Sequence, residues 1–337
     1  MSLRTYLLRR FIFLIPLLFG LSLLTFTISR ILPGDPVGLA AGPQATPEIK
    51  AQLAKQFGLD QPLPMQYINY IGGLFRGDWG MSLYSKREVW TDLRTYFPAT
   101  LELTIVAVGL ATLLGIPLGI LSALQRNRLP DHLARVVALF FVSFPAFWLA
   151  MIFQSFFGLN LRWFPIGKRF DVRIAPPSSI TGLILFDSLL HWDLKAFTTG
   201  LRYIALPALV LSFGSLASIT RITRAAVLDV MERDYVRTAR AMGIRRRSLI
   251  FVHILRNALN SIITMISLEF GWLLAGAVLV ETIFDWPGLG LYAVESSLRL
   301  DFQPIMGITI LYGIVFSLIN IATDALYGFI DPRIRYG

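Results

Sequence analysis

The chain has 337 residues, 55% hydrophobic and 15% charged, with a mean hydropathy of +0.62. Soluble domains carry about 25% charged residues, so this composition excludes an ordinary soluble fold. The net charge is +10 and there is no cysteine, which excludes disulfides, thiol catalysis and cysteine-ligated metal.

A bilayer core needs roughly 20 apolar residues per helix. Charge-free runs near that length occupy 11–29, 103–124, 136–161, 203–220 and 302–323, and a sixth, 257–280, is interrupted only by Glu269. These six runs predict an all-α integral membrane protein with six transmembrane helices. Arg9 and Arg10 precede the first run, but it is longer than a signal core and lacks a small-residue cleavage site. It is expected to be an uncleaved first helix within a segment 1–30. A charge-free run at 174–186 is short and carries Pro176 and Pro177, so an interfacial or re-entrant piece is expected there.

Residues 31–98 form a segment outside the membrane, opening with the turn-rich Pro33-Gly34-Asp35-Pro36. Thr46-Pro47-Glu48 predicts a helix capped by Thr46, with Pro47 at its first position, running to about Phe57 and ended by Gly58. Pro62 and Pro64 precede a second amphipathic stretch ending near Gly77. A small helical cap is expected. A core of five spans follows at 99–330, then a tail at 331–337. Within the core, Gly115-Ile116-Pro117-Leu118-Gly119 places two glycines four apart, which allows close helix approach, and Pro117 suggests a kink.

Basic residues orient the chain. Arg4, Arg9, Arg10, Arg126, Arg128, Arg135, Arg333 and Arg335 fall on one side together with nine arginines between 221 and 256. Positively charged loops stay in the cytoplasm, so both termini and the loop 221–256 are expected there.

That loop is helical in period. Leu228, Met231, Tyr235, Ala239 and Met242 share one face, and Arg233, Arg237 and Arg240 another. Acidic Asp234 suits a helix start, and Gly243 is a natural terminator. Such a helix fits two roles equally: lying in a partner protein's groove, or lying on anionic lipid headgroups.

The stretch Tyr235-Val236-Arg237-Thr238-Ala239-Arg240-Ala241-Met242-Gly243, followed by His253-Ile254-Leu255-Arg256-Asn257-Ala258, resembles the "EAA" coupling loop of ABC importer permeases. Its form is that of the dipeptide and oligopeptide (peptide/nickel) branch. Three further stretches agree: Leu32-Pro33-Gly34-Asp35-Pro36, Glu281-Thr282-Ile283-Phe284-Asp285-Trp286-Pro287-Gly288-Leu289-Gly290, and Asp331-Pro332-Arg333-Ile334-Arg335. The enlarged segment after helix one is similar to that of the first, B-type, permease subunit. Arg237-Thr238-Ala239 stands where the general motif has Glu-Ala-Ala, and Arg256 where it has a later proline.

The resemblance implies a type I ABC importer permease fold in a bacterial or archaeal cytoplasmic membrane. It implies a heterodimer with a second, homologous permease, two ATPase subunits on the cytoplasmic loops, and an extracytoplasmic solute-binding protein. Asp234, Tyr235, Arg237, Thr238, Ala239, Arg240, Gly243 and Arg256 would form the ATPase-coupling surface. The chain itself would be non-catalytic and hold no cofactor, ATP and magnesium belonging to the ATPases. It has no G-x-x-x-x-G-K-[S/T] phosphate loop. Short peptides are the expected cargo, with nickel chelates, glutathione, opines or oligosaccharides as alternatives, and nucleic acid is not expected as a partner.

Glu269 sits mid-span, where an ionised side chain costs roughly 2.5–3.5 kcal/mol on the insertion scale. It is expected either to border the translocation path or to be a structural, hydrogen-bonded glutamate at a subunit interface. Trp286-Pro287-Gly288 turns the chain at the outer end of helix five and is a candidate gate element. A stand-alone transporter would need paired intramembrane charges, and only Glu269 is clearly placed. A membrane enzyme would need a motif such as H-E-x-x-H or G-x-S-x-G, and neither occurs.

Overall fold

The computed structural model describes residues 3–31, 35–42 and 44–330. Leu32, Pro33 and Gly34 of the first matching stretch lie outside the described residues, as does the tail 331–337 with its Asp331-Pro332-Arg333-Ile334-Arg335. In chain order the helices are α1 (Leu3–Ile31), α2 (Pro36–Ala41), α3 (Pro47–Gln56), α4 (Leu63–Phe75), α5 (Val89–Leu124) and α6 (Leu129–Val142). Next come α7 (Ala146–Phe153), continued by a π-helical turn (Gln154–Asn160), then α8 (Ile184–Leu190), α9 (Leu194–Met231) and α10 (Asp234–Ala241). Last among the described elements come α11 (Arg246–Ser248), a second π-helical turn (Leu249–Leu255), α12 (Arg256–Gly276), α13 (Val278–Ile283), α14 (Leu289–Leu298) and α15 (Phe302–Ile330). Among the described residues there is no strand beyond an isolated bridge between Met81 and Glu88.

Among the described residues five helical stretches are long and apolar enough to cross a membrane: Arg9–Ile31, Val89–Leu124, Leu194–Met231, Arg246–Gly276 and Phe302–Leu326. The expected third span is not a straight helix. Leu129–Val142 and Ala146–Asn160 meet at a 92° bend, so a sixth span exists only as a broken one. The cause is local: Pro145 has no N–H to donate and disfavours helical geometry at the residue before it. Pro117, by contrast, lies within α5, which is continuous from Val89 to Leu124.

The described residues fall into two units. The first comprises 101–286 and 319–330. Its centre is α9, against which α6, α7, α8 and α12 pack. The two glycines of the predicted close approach do this work: a Cβ on Gly119 would lie 2.6 Å from Thr223 Cβ and 2.7 Å from the Thr220 carbonyl. On Gly115 it would meet Ile219 at 3.0 Å. Residues 174–183 carry no regular structure before α8, as expected of a non-spanning piece.

The second unit comprises 3–100 and 287–318. In it α3 begins as predicted, with the Thr46 hydroxyl accepting from the Ile49 N–H and Pro47 at the first position. Gly58, at φ +64°, follows the helix end. Helix α4 ends at Phe75, and Gly77 adopts φ +83° just beyond it. Asp301 ties down the preceding loop by accepting from Ser82 Oγ (2.5 Å) and from the Leu83 and Tyr84 N–H groups (both 3.2 Å).

Candidate coupling surface and translocation cavity

Helix α10 is eight residues long, too short to persist alone in water, where isolated helices under about 12–15 residues are marginal. It is held from one side. Val236 (0% exposed) and Ala239 join Val227 and Val230 of α9, Leu249 and Ile254 of the π-helical turn, and Ala258 and Ile262 of α12 in one apolar cluster. Its end is closed by a Schellman pattern, in which the Ile244 N–H donates to the Ala239 carbonyl (3.2 Å) and the Gly243 N–H to the Arg240 carbonyl (3.1 Å). Gly243 has φ +77°, so the predicted terminator is there for its backbone.

The expected apolar face is corrected on two points. First, the periodicity from Leu228 onward is broken, because α9 stops at Met231 and the chain turns at Glu232–Arg233 before α10 starts. Second, Tyr235 and Met242 do not face the core; they are exposed, and Val236 takes the buried place beside Ala239. Asp234, Tyr235, Arg237, Thr238 and Arg240 are therefore all on the outside. Arg237 reaches Asp234 at 3.6 Å, and Arg233 donates to Asp229 at 2.8 Å, which holds its guanidinium above its ordinary pKa. Burial pushes the Tyr235 phenol up, opposed by Arg233. Arg256 is exposed at the start of α12. The arginine-rich segment before it includes the π-helical turn at 249–255, which sequence periodicity does not distinguish from an α-helix.

Sequence reasoning missed a dense polar cluster of the first unit. Asp131 in the first turn of α6 is fully buried. Its Oδ1 accepts from Ser122 Oγ (2.6 Å) and Arg224 Nε (2.8 Å), and its Oδ2 from Arg224 Nη2 (2.9 Å) and the Asn127 N–H (2.9 Å). Arg135 adds an ion pair at 3.5 Å. One carboxylate thus joins the end of α5, the start of α6 and the lower part of α9. A weak signal existed: Asp131 is a lone acid among Arg126, Arg128 and Arg135. Arg126 also pairs with Glu232 at 2.9 Å.

Glu269 faces a cavity of about 390 Å³ bounded by α6, α7, α9 and α12. Among the described residues its hydrogen-bond partner is Ser215, whose hydroxyl donates to Oε2 at 2.6 Å. Phe141 and Phe213, stacked 3.9 Å apart, line the same space with Phe144 and Trp272. Gly214 and Gly276 also border it, and a Cβ on either would meet nothing within 4 Å. The cavity is therefore aromatic-walled, with one carboxylate and small residues that keep it wide.

Trp286 is buried at 1% exposure, with its N–H donating to the Glu281 carbonyl (2.8 Å). Its ring lies 6.0 Å from the Arg169 guanidinium, which in turn pairs with buried Glu102 at 2.6 Å. Nearby, the Lys168 N–H donates to the Phe284 carbonyl (2.8 Å) and Gln154 to the Ile283 carbonyl (2.9 Å). Trp286 is thus anchored on the loop 166–169. Gly288 is extended and serves as the N-cap of α14, with Pro287 before it, and the Leu289 N–H donates to Thr100 (2.8 Å).

Comparison with known proteins agrees along the chain. Residues 115–336 match the family described as "Binding-protein-dependent transport system inner membrane component", and residues 3–104 match its N-terminal companion, "Binding-prot-dependent transport system membrane comp, N-term". The chain is 44% identical over 319 residues to the "Probable D,D-dipeptide transport system permease protein DdpB" of Escherichia coli (strain K12), covering 94% of each. It is 42% identical to the "Di/tripeptide transport system permease protein DppB" of Pseudomonas aeruginosa (strain UCBPP-PA14), over 98% of this chain and 99% of that one. It is 38% identical to the "Glutathione transport system permease protein GsiC" of Shigella boydii (serotype 4, strain Sb227), over 98% and 99%. Two structures of the MetNI methionine ABC transporter in inward facing conformations align with 69% of this chain and 93% of theirs, at 15% identity and TM-scores of 0.50 and 0.51. That likeness supports the type I permease fold and nothing finer. With matches spanning nearly its whole length, the chain is a multi-pass membrane protein that belongs to the family of binding-protein-dependent transport system inner membrane components.

Proposed function

We propose that this chain is the B-type, non-catalytic permease subunit of an ATP-driven importer of short peptides. A second, homologous permease completes the pathway, two ATPase subunits that bind ATP and magnesium engage the 221–256 region, and an extracytoplasmic solute-binding protein delivers cargo. Both termini and α10 are cytoplasmic in this reading, which the distribution of arginines supports. The dipeptide and di/tripeptide names of relatives at 42–44% identity support the cargo class.

The observation that carries the coupling role is how α10 is seated. An amphipathic helix binds lipid through a free apolar face. Here Val236 and Ala239 are already buried against α9 and α12, and the outward side carries Tyr235, Arg237, Thr238 and Arg240. A charged, rigidly mounted helix is suited to receive a protein partner. Closure of the ATPases on ATP would press on α10 and move α9 with it through the shared apolar cluster. Ser215 lies 16 residues from the end of α9, about 24 Å along its axis, so the same rod reaches the cavity at Glu269.

The test is ATPase activity of the complex copurified through this chain and placed in nanodiscs, with its solute-binding protein and either di- or tetrapeptides. Stimulation by one peptide length supports the reading. A copurified ATPase indifferent to peptides redirects the cargo to glutathione, metal chelates, opines or sugars, and a chain that brings no ATPase overturns the assignment.

A further inference from the structure

A second cavity of the first unit plays no part in the reading above. It is an open cleft of about 600 Å³ where the π-helical turn after α7, the loop 162–174 and the first turns of α9 come together. Three arginines line it: Arg162, just past the π-helical turn, Arg173 in the loop, and Arg202 on α9. The one carboxylate in the lining is Asp171, and it already accepts from the Arg173 N–H at 2.9 Å. Among the described residues none of the three arginines has an ion-pair partner. Arg202 donates one hydrogen bond to the Trp163 carbonyl (3.3 Å), which leaves most of its fork unused. The cleft is thus a positively charged depression with unspent donors and an apolar wall supplied by Phe164 and Ile174.

Its place on α9 gives it a direction. Arg202 is eight residues from the start of that helix and 29 from its end at Met231, so roughly 44 Å separate the cleft from the α10 region. This exceeds the ~30 Å hydrocarbon thickness, which puts the cleft on the membrane face opposite α10. Ser215, the partner of Glu269, is 13 residues further along the same helix, about 20 Å inward. A ligand moving along α9 meets cationic groups first and a carboxylate second.

We propose that this cleft is a carboxylate-binding site of the permease, in which Arg162, Arg173 and Arg202 receive the terminal carboxylate of a short peptide. This rests on the peptide-import reading for the identity of the ligand, and on the cleft itself for its charge. A guanidinium fork matches a carboxylate bidentately, and 600 Å³ is the size of a small-ligand pocket rather than of a protein interface. The other source of an oxyanion at this depth is a lipid headgroup phosphate.

The experiment is saturation-transfer NMR on the full-length chain with its copurified partners, in phosphatidylcholine nanodiscs without ATP or solute-binding protein. The probes are glycyl-leucine and its C-terminal amide. The expected result is a signal at least threefold stronger for the acid than for the amide, and lost in Arg173→Gln and Arg202→Gln. Equal signals for acid and amide, or signals unchanged in both variants, overturn the proposal. So does native mass spectrometry showing phosphatidylglycerol retained by the wild type, lost from both variants and not displaced by glycyl-leucine, because the site then belongs to the lipid. Peptide-stimulated ATPase activity is read separately. Acid-over-amide discrimination without such stimulation upholds the site and rejects peptide import, whereas stimulation without discrimination does the reverse.

Discussion

Two carboxylates of the first unit differ in how fully their surroundings satisfy them. Asp131 is sealed: both oxygens are filled by Ser122, Asn127 and a bidentate Arg224, and no part of the residue reaches solvent. Glu269 is left open, with Ser215 as its hydrogen-bond partner and a 390 Å³ cavity before it. A buried charge persists when its surroundings satisfy it fully, and removing one partner then strands the rest. A half-satisfied carboxylate keeps its capacity for something that arrives from outside. The sequence places Glu269 within an apolar span and Asp131 among arginines, but only the tertiary partners show that one is open and the other sealed.

The sharpest way to break this contrast is Asp131→Ala. It leaves the Arg224 guanidinium without its counter-charge and should destabilise the packing of α5, α6 and α9 by about 3–5 kcal/mol. The expected outcome is loss of assembled protein, measured as the yield of monodisperse complex. Normal yield would show that the cluster is not part of the framework. Next in size is Glu269→Gln, which preserves shape and the Ser215 contact but removes the charge. Assembly should be normal and uptake should fall about tenfold. Full uptake would return Glu269 to the structural reading.

Gly276→Leu probes the same cavity sterically. Nothing lies within 4 Å of a Cβ there, so folding should survive, while uptake of peptides with bulky side chains falls more than that of diglycine. Equal uptake of both would remove the cavity from the path. Gly243→Val tests the coupling end. Its Cβ also meets open space, so the cost is about 1–2 kcal/mol of backbone strain at a left-handed position rather than a clash. Peptide-stimulated ATP hydrolysis should continue with reduced transport per ATP, and Gly243→Asn should be milder. An unchanged ratio would remove α10 from coupling.

The smallest effect extends the comparison to a third acid, Asp187 at the start of α8. Burial alone pushes its carboxyl up, but the Thr181 hydroxyl and the N–H groups of Thr181, Gly182 and Ile180 outweigh that and hold it below its ordinary value. A carboxyl depressed on folding stabilises the protein above its unfolded pKa of about 3.9, and that contribution is lost as pH falls below it. Wild-type thermal stability should therefore exceed that of Asp187→Asn at pH 7, and the gap should close below about pH 4. A gap independent of pH would mean that the asparagine disturbs packing, not charge.

Much of this was legible along the chain because it depends on neighbours in sequence. Apolar runs marked the spans, Thr46-Pro47 marked the start of α3, and Gly243 marked the end of α10. The face of α10 was not legible, because the turn at Glu232–Arg233 resets the helical phase between Met231 and Tyr235. A periodicity carried through that turn puts Tyr235 inside and Val236 outside, the reverse of what is found. The 92° bend of the third span was likewise hidden: Pro145 announces itself in sequence as firmly as Pro117, yet α5 continues through one and the other stands at a break.

The sequence by itself determined that this is a helical membrane protein, which side its arginines favour, and the loop by which its family is recognised. Those properties follow from hydropathy, charge placement and short motifs, each of which acts within a few residues. Tertiary structure alone decided that Asp131 is sealed, that Glu269 faces a cavity, and that Arg162, Arg173 and Arg202 gather at one cleft. In each case the deciding partners come from elsewhere in the chain. Ser215 and Glu269 are 54 positions apart, and Asp131 and Arg224 are 93 apart. The charge state and availability of a buried group depend on what folding brings beside it, which no local pattern records.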